Sequence, residues 1–190
     1  RYYCNIVGKY GTQVQALLKK ASTVQIDRIC PLHGFVWRKN IGEFIDRYIH
    51  WSTYTPEEQG VMIAYASVYG GTENAANVLA CRLAEQGVQV KMFDVSVPPA
   101  PYVVSDAFKY SHLVFASATY NMGIFVTMED LLHDIAAHAL ADRRDALIEN
   151  GTWSPASGKK MDALLSPLKG WSAVEPVLTV KSALRPDQAA

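Results

Sequence analysis

The sequence has no excess of charge of either sign, because Lys and Arg together number 18 and Asp and Glu also number 18. This balance argues against bulk electrostatic binding to nucleic acid or to an anionic membrane. No apolar run approaches the roughly 20 residues that span a bilayer. The first residues also lack the basic, apolar and small-residue order of a signal peptide. We therefore expect neither nucleic acid nor a membrane among the partners.

Cysteine is scarce, and the spacing of the cysteines indicates neither disulfide bonds nor a metal site. Cys4, Cys30 and Cys81 are an odd number, and no C-x-x-C motif occurs. A disulfide framework or a zinc ribbon is therefore disfavoured. This pattern is typical of a reducing compartment, so we expect a cytoplasmic location.

The first part of the chain is too small for a domain of its own. Apolar residues at helical spacing predict one helix around Val14–Leu18 and another over Ile41–Trp51, and Val24–Cys30 is predicted to be a short strand. About 50 residues with one obvious strand cannot form an independent core. Residues 51–59 are predicted to be a linker. We expect a break near residue 55, with a larger domain over residues 56–190.

From Gly60 onward, predicted strands alternate with predicted helices. Strands are expected at 61–66, 88–93, 113–118, 146–148 and 174–180, and helices at 74–86, 128–139 and 161–168. Leu184–Ala190 is predicted to be the first turn of a last, interrupted helix, and the absence of an initiator Met leads us to expect a fragment. Alternation indicates a parallel sheet with helices on both faces. Five such strands favour an α/β, flavodoxin-like doubly wound sheet.

Three loops at the predicted carboxyl ends of the strands have the composition of a binding site. The loop Ser67–Asn74 offers small residues, hydroxyls and the N–H groups of a helix start, which suit a phosphate. It lacks Lys and Arg and matches neither glycine-rich nucleotide motif. The loops Ser117–Phe125 and Glu149–Gly158 each carry a large aromatic, Tyr120 or Trp153, that can stack on a flat ring. Alternatively, the first loop is a plain turn and Trp153 only covers the end of the sheet.

These loops carry a resemblance to a known family. I-A-Y-A-S-V-Y-G-G-T-E-N, S-A-T-Y-N-M-G-I-F and I-E-N-G-T-W-S-P resemble the flavin-binding loops of flavodoxin-like domains, and look most like those of the flavodiiron proteins (A-type flavoproteins). C-P-L-H-G-F-V-W-R, followed by W-S-T-Y-T-P-E-E, resembles the end of that family's metallo-β-lactamase-like domain. The resemblance implies a remnant of this diiron domain at residues 1–55 and an FMN-binding domain at 56–190.

The resemblance also implies a set of site residues. For the FMN phosphate they are Ser67, Val68, Tyr69, Gly70, Gly71, Thr72 and Asn74. For the isoalloxazine ring they are Ala118, Thr119, Tyr120, Asn121, Gly123, Phe125, Asn150, Gly151 and Trp153. His33, by its H-G context, matches the family's last iron ligand. The other iron ligands of the family, from an upstream H-x-E-x-D-H motif and a further His and Asp, are absent from the sequence. A diiron centre is therefore expected only if a missing segment is supplied, for example by a separate chain.

The function implied by the resemblance is electron transfer within an oxidoreductase. FMN would pass electrons to a non-haem diiron site that reduces dioxygen to water or nitric oxide to nitrous oxide. The implied partners are an electron donor such as rubredoxin or a flavin reductase, and a second copy in a head-to-tail homodimer or a dimer of dimers. A flavodoxin-like electron carrier without iron chemistry is the alternative, and a flavin-free binding domain is a third possibility. No residue is assigned as a catalytic acid, base or nucleophile.

Overall fold

A parallel sheet organises most of the chain in the computed structural model, which describes residues 1–188. Its strands are β1 (Glu58–Ala66), β2 (Val90–Asp94), β3 (Tyr110–Tyr120), β4 (Gly123–Ile124), β5 (Arg144–Asn150) and β6 (Ser172–Val180). The parallel strands lie in the order β2-β1-β3-β5-β6, and β4 pairs antiparallel with the end of β3. The predicted five-stranded flavodoxin-like sheet is confirmed.

Helices cover both faces of this sheet. They are α1 (Gly11–Ala21), α2 (Ile41–Ser52), α3 (Gly71–Glu85), α4 (Ala100–Lys109), α5 (Val126–Ala137) and α6 (Ser157–Leu165). Side chains alternate between the faces along each strand. Ile63 and Val114 pack with α3 on one face, whereas Met62 and Phe115 pack with α4, α5 and α6 on the other. Within residues 1–188, none of the helices has the length and apolar character needed to cross a membrane.

The start of the chain packs against α4, where the Asn5 side-chain amide donates to the Pro101 carbonyl oxygen at 3.0 Å. A short π-helix (Tyr3–Val7) and a 3-10 helix (Gly8–Tyr10) precede α1. Tyr3, Cys4 and Val14 are buried in the same core cluster as the sheet residues on that face. The predicted strand at Val24–Cys30 is wrong. Within the described residues 1–188 this segment has no neighbouring strand to pair with, and it forms one isolated bridge, in which Ile29 and Trp37 exchange backbone hydrogen bonds of 3.0 and 2.9 Å.

A buried arginine holds the junction between the first 55 residues and the sheet. Arg143 is 1% exposed, and burial lowers the pKa of its guanidinium to about 10. It donates to the carbonyl oxygens of Ala107 (3.0 Å), Phe108 (2.7 Å), Tyr54 (2.6 Å), Ala141 (3.0 Å) and Asp142 (3.0 Å). The linker, the end of α4 and the start of β5 therefore meet at one side chain.

Two further differences from the sequence prediction concern helices. The sequence did not predict α4, although Val103, Val104, Ala107 and Phe108 are buried at helical spacing. The expected last helical turn is a 3-10 helix over Pro186–Gln188. Ala189 and Ala190, the end of that predicted turn, lie outside the described residues.

Candidate functional site

A cavity of about 720 Å³ opens at the carboxyl ends of β1, β3, β5 and β6. Its volume is within the usual range for small-molecule and cofactor sites. The lining comes from all three predicted loops and from the residues after β6. The lining residues are Ser67, Val68, Tyr69, Gly71, Thr72, Ala118, Thr119, Asn121, Met122, Asn150, Gly151, Thr152, Trp153, Ser154, Ser182 and Ala183.

Most of the predicted contact residues are thus brought together, and five of them are not in the lining. These five are Gly70, Asn74, Tyr120, Gly123 and Phe125. The lining contains no Asp, Glu, Lys, Arg or His. An uncharged site of this kind binds an anion through N–H and O–H donors and a helix dipole, not through an ion pair.

The first loop presents to the cavity backbone amides that have no hydrogen-bond acceptor among residues 1–188. The first bond of α3 runs from the Asn74 N–H to the Gly70 oxygen, at 2.8 Å. The N–H groups of Gly71, Thr72 and Glu73 come before it and have no acceptor within the helix. Gly70 adopts φ +85°, a left-handed conformation, and donates its N–H to Ser67 Oγ at 3.0 Å. This turn aims the positive end of α3 at the cavity, which favours a phosphate.

The residues after β6 form a fourth wall that the sequence prediction missed. Ser182, at φ +69°, donates its N–H to Asn150 Oδ1 at 2.9 Å and accepts from Asn150 Nδ2 at 3.2 Å. A Cβ on Gly71 would lie 2.0 Å from the Ser182 carbonyl oxygen, so the start of α3 and this wall are in direct contact. The sequence could have indicated this wall only through the position of Ser182, which follows the fifth parallel strand at the edge of the sheet where ligands bind.

The second loop is a tight hairpin between β3 and β4. Asn121 and Met122, at φ +47° and +59°, occupy the turn, as in the two-residue turns that connect antiparallel strands. Tyr120 packs edge-on against Phe125 with ring centroids 5.8 Å apart. Met122 lines the cavity and Tyr120 does not, and the contact of Tyr120 with the ring stays a prediction.

The third loop presents Trp153, which is 87% exposed and lines the cavity. Its neighbour Glu149 is engaged elsewhere, since its carboxylate accepts from the Gly158 N–H at 2.9 Å and from the Thr179 hydroxyl at 2.8 Å. Tyr69, on the first loop, is 99% exposed. Two large aromatic side chains thus lie at the site with their faces available for stacking on a flat ligand.

A second cavity, of about 670 Å³, lies between α1 and α2. Its lining is almost entirely apolar and includes Leu17, Leu18, Ile41 and Phe44. It offers few donors for an anionic group, so the cavity at the strand ends is the better candidate for a polar cofactor.

His33 lies in the exposed segment between α1 and α2. Its ring stacks on Tyr2 with centroids 4.6 Å apart. In the part of the chain that the structure describes, no three His, Cys, Asp or Glu side chains are grouped so that they could hold a metal ion. The assignment of His33 as an iron ligand stays a prediction.

Comparison with known proteins agrees with this geometry. The flavodoxin family model matches residues 63–189. An anaerobic nitric oxide reductase flavorubredoxin from Vibrio vulnificus is 24% identical, over 98% of this chain and 38% of the relative. The solved structure of a rubredoxin oxygen:oxidoreductase from Desulfovibrio gigas has a TM-score of 0.91 at 23% identity, over 99% of this chain and 47% of that one.

A flavodiiron protein from Giardia intestinalis has a TM-score of 0.92 at 23% identity, again over 99% of this chain and 47% of the other. At this identity the two structures establish the shared fold. The resemblance predicted from the three loops is confirmed by these matches. The chain spans less than half the length of each of these relatives.

Proposed function

The chain belongs to the flavodoxin family, and from this premise we propose that the cavity at the strand ends binds FMN. The observation that carries the proposal is the combination of free amides at the start of α3 with exposed aromatic side chains around one uncharged cavity of about 720 Å³. FMN has the two matching parts, a phosphate and a flat ring.

The phosphate would lie at the first turn of α3. Three N–H groups, from Gly71 to Glu73, are available there. The Ser67 hydroxyl accepts from Gly70, which leaves its own proton free to donate to a phosphate oxygen. Charge-assisted bonds of this kind are stronger than neutral ones. This chain would therefore hold the phosphate without a cation.

The ring would lie among the second loop, the third loop and the residues after β6. Trp153 can stack on it, while backbone groups near Ala118, Asn121 and Gly151 can bond its edge. When bound, FMN supplies the electron-transfer chemistry, and the protein binds and orients it and sets its electrostatic surroundings. Because the lining holds no carboxylate, added negative charge on the ring would meet little repulsion. This environment suits delivery of electrons to an oxidant.

At the level of the whole protein, we propose that the chain is the FMN domain and junction of a flavodiiron-type oxidoreductase. Residues 1–55 would be the end of a metallo-β-lactamase-like domain, with His33 as an iron ligand once the rest of that domain is supplied. Electrons would come from a donor such as rubredoxin or a flavin reductase and go to a diiron site that reduces dioxygen or nitric oxide. The assembly would be a cytoplasmic head-to-tail homodimer or a dimer of dimers. The similarity to a nitric oxide reductase flavorubredoxin and to a rubredoxin oxygen:oxidoreductase supports this proposal.

A second candidate is an electron carrier without iron chemistry of its own. It is favoured by one observation, that residues 1–188 contain no grouped metal-ligating side chains. Nitric oxide consumption by the purified, FMN-loaded and chemically reduced chain that occurs with added iron and not without it would exclude this candidate.

The proposed cofactor can be tested by equilibrium titration. FMN fluorescence is followed as the purified chain is added, and riboflavin, which lacks the phosphate, serves as the matched ligand. We expect one FMN per chain and at least about tenfold weaker binding of riboflavin, because the bonds to the α3 amides are lost. If FMN and riboflavin bind with equal affinity, the phosphate does not bind at the first loop. If neither ligand binds, the proposal is refuted.

A further inference from the structure

The hydroxyl of Thr119 makes contacts that its assignment as a ring contact does not explain. Thr119 lies near the end of β3, yet its Oγ1 accepts from the N–H groups of Ala156 and Ser157 at 3.0 and 3.3 Å. It also donates to Ser157 Oγ at 3.4 Å. Ala156 is the residue that precedes α6, and its own side chain makes no cap. A side chain from another strand therefore satisfies the free amides at the start of α6.

These three bonds use the full capacity of the hydroxyl. A threonine hydroxyl has one proton to donate and two lone pairs to accept. With both amides and Ser157 Oγ engaged, no hydrogen-bonding position is left for a ligand.

The start of the third loop also lies at this point. A Cβ on Gly151 would lie 3.2 Å from Thr119 Oγ1 and 2.9 Å from the Cα of Pro155. The two ends of the segment 151–156 are therefore close together beside Thr119. Ser157 adds a further tie, since its hydroxyl donates to the Ser117 carbonyl at 3.0 Å. Trp153 lies at the tip of the loop that these contacts close.

We propose that Thr119 is a positioning residue: its hydroxyl closes the third loop and so presents Trp153 to the ligand, and it does not itself bond the cofactor. This rests on the proposed function for the identity of the ligand. The loop closure itself is a property of the protein without ligand. The two ideas can therefore fail separately.

The test compares Thr119→Val, which removes the hydroxyl at similar size, with Thr119→Ser, which keeps it. Thr127→Val is the matched control, because Thr127 lies on α5 outside the cavity lining. Amide hydrogen exchange is measured on each protein before and after addition of FMN, together with FMN affinity and the visible circular dichroism of the bound flavin.

In the wild-type protein without FMN, we expect the Ala156 and Ser157 amides to be protected and those of Thr152 and Trp153 to exchange quickly. In Thr119→Val, protection of Ala156 and Ser157 should fall roughly 5- to 30-fold, as for the loss of a helix cap. FMN binding should weaken and the dichroism of the flavin should change. Thr119→Ser should restore protection, affinity and dichroism, and Thr127→Val should leave them unchanged.

Two results would overturn the proposal. One is a Thr119→Val protein that binds FMN more weakly while Ala156 and Ser157 keep their protection in the free protein, because the hydroxyl would then act on the ligand. The other, which needs no variant to fold, is a wild-type protein in which these two amides become protected only after FMN is added. If the wild-type protein binds no FMN but the amides behave as expected, the proposed function fails and the loop closure stands.

Discussion

Replacement of Gly71 by Ala should damage the cavity, because the start of α3 lies against the wall that follows β6. A Cβ at this position would lie 2.0 Å from the Ser182 carbonyl oxygen and 3.0 Å from Asn150 Nδ2. Ordinary carbon–oxygen contacts are roughly 3.3 Å or more. The Ser182 backbone would therefore have to move by about 1 Å, which breaks its two bonds with Asn150.

The magnitude follows from the contacts that are lost. Two hydrogen bonds contribute about 1 kcal/mol each, and an extra methyl group in a packed site costs about 1–3 kcal/mol. The better helix propensity of Ala recovers up to about 1 kcal/mol. We expect Gly71→Ala to lower the free energy of unfolding by about 2–4 kcal/mol, measured by urea denaturation, and to weaken FMN binding.

Gly42→Ala is the matched control for this prediction. A Cβ on Gly42, in α2, would meet no atom within 4 Å, so this variant should be as stable as the wild type or more stable by up to about 1 kcal/mol. If Gly71→Ala unfolds at the same urea concentration as Gly42→Ala and binds FMN with the wild-type affinity, the contact between α3 and Ser182 is refuted as a determinant of the site.

Three further predictions follow from other parts of the chain. Arg143→Met should lower the free energy of unfolding by about 3–5 kcal/mol in urea denaturation, because five carbonyl oxygens lose their donor. Asp145 is buried, and burial, with repulsion from Asp162 and Glu175, raises the pKa of its carboxyl to about 6. Its ordinary value is about 3.9, so the folded state favours the protonated form, and stability falls as pH rises from about 4 through 6. Asp145→Asn should therefore be more stable than the wild type at pH 7, by up to about 3 kcal/mol, and equal to it below pH 4 in urea denaturation at both pH values. Asn121→Asp keeps the left-handed turn and adds a carboxylate to the cavity, so it should lower the midpoint potential of bound FMN by tens of millivolts in a redox titration.

Each of these predictions has a clear contrary outcome. Full stability of Arg143→Met would mean that the five carbonyl oxygens find other donors. A stability difference for Asp145→Asn that is the same at pH 4 and pH 7 would exclude titration of this carboxyl. An unchanged potential in Asn121→Asp would place the ring away from the second loop.

Buried strands and glycine-rich turns made most of the fold predictable from the sequence. The run from Val61 to Ala66 is apolar throughout because a central parallel strand is covered on both faces. The segment Val24–Cys30 also contains β-branched residues, at Val24, Ile26 and Ile29, yet within residues 1–188 no strand lies beside it. Whether a strand finds a partner depends on the tertiary structure, so the local composition cannot predict it. The helix α4 was not predicted, because Pro98, Pro99 and Pro101 are typical of a loop and the four buried apolar residues that mark the helix come after them.

The parts of the candidate site that come from one continuous segment of sequence were predictable. Small residues and hydroxyls between Ser67 and Thr72 indicated the first loop, and Trp153 the third. Local composition does not show that Asn121 and Met122 adopt left-handed conformations, with Met122 in the lining and Tyr120 outside it. The assignment of Tyr120 as a ring contact stays a prediction. The bond partners of Thr119 and Ser182 come from residues more than 30 positions away. No local pattern in the sequence indicates contacts of that kind.

The central claim is that FMN binds with its phosphate at the start of α3 and its ring beside the third loop. The most direct test is to follow the backbone amide resonances of the ¹⁵N-labelled chain during titration with FMN. We predict that the largest shifts occur at Gly71, Thr72 and Glu73 and at Gly151–Trp153. Shifts concentrated instead between α1 and α2, around Leu18 and Phe44, would contradict the claim.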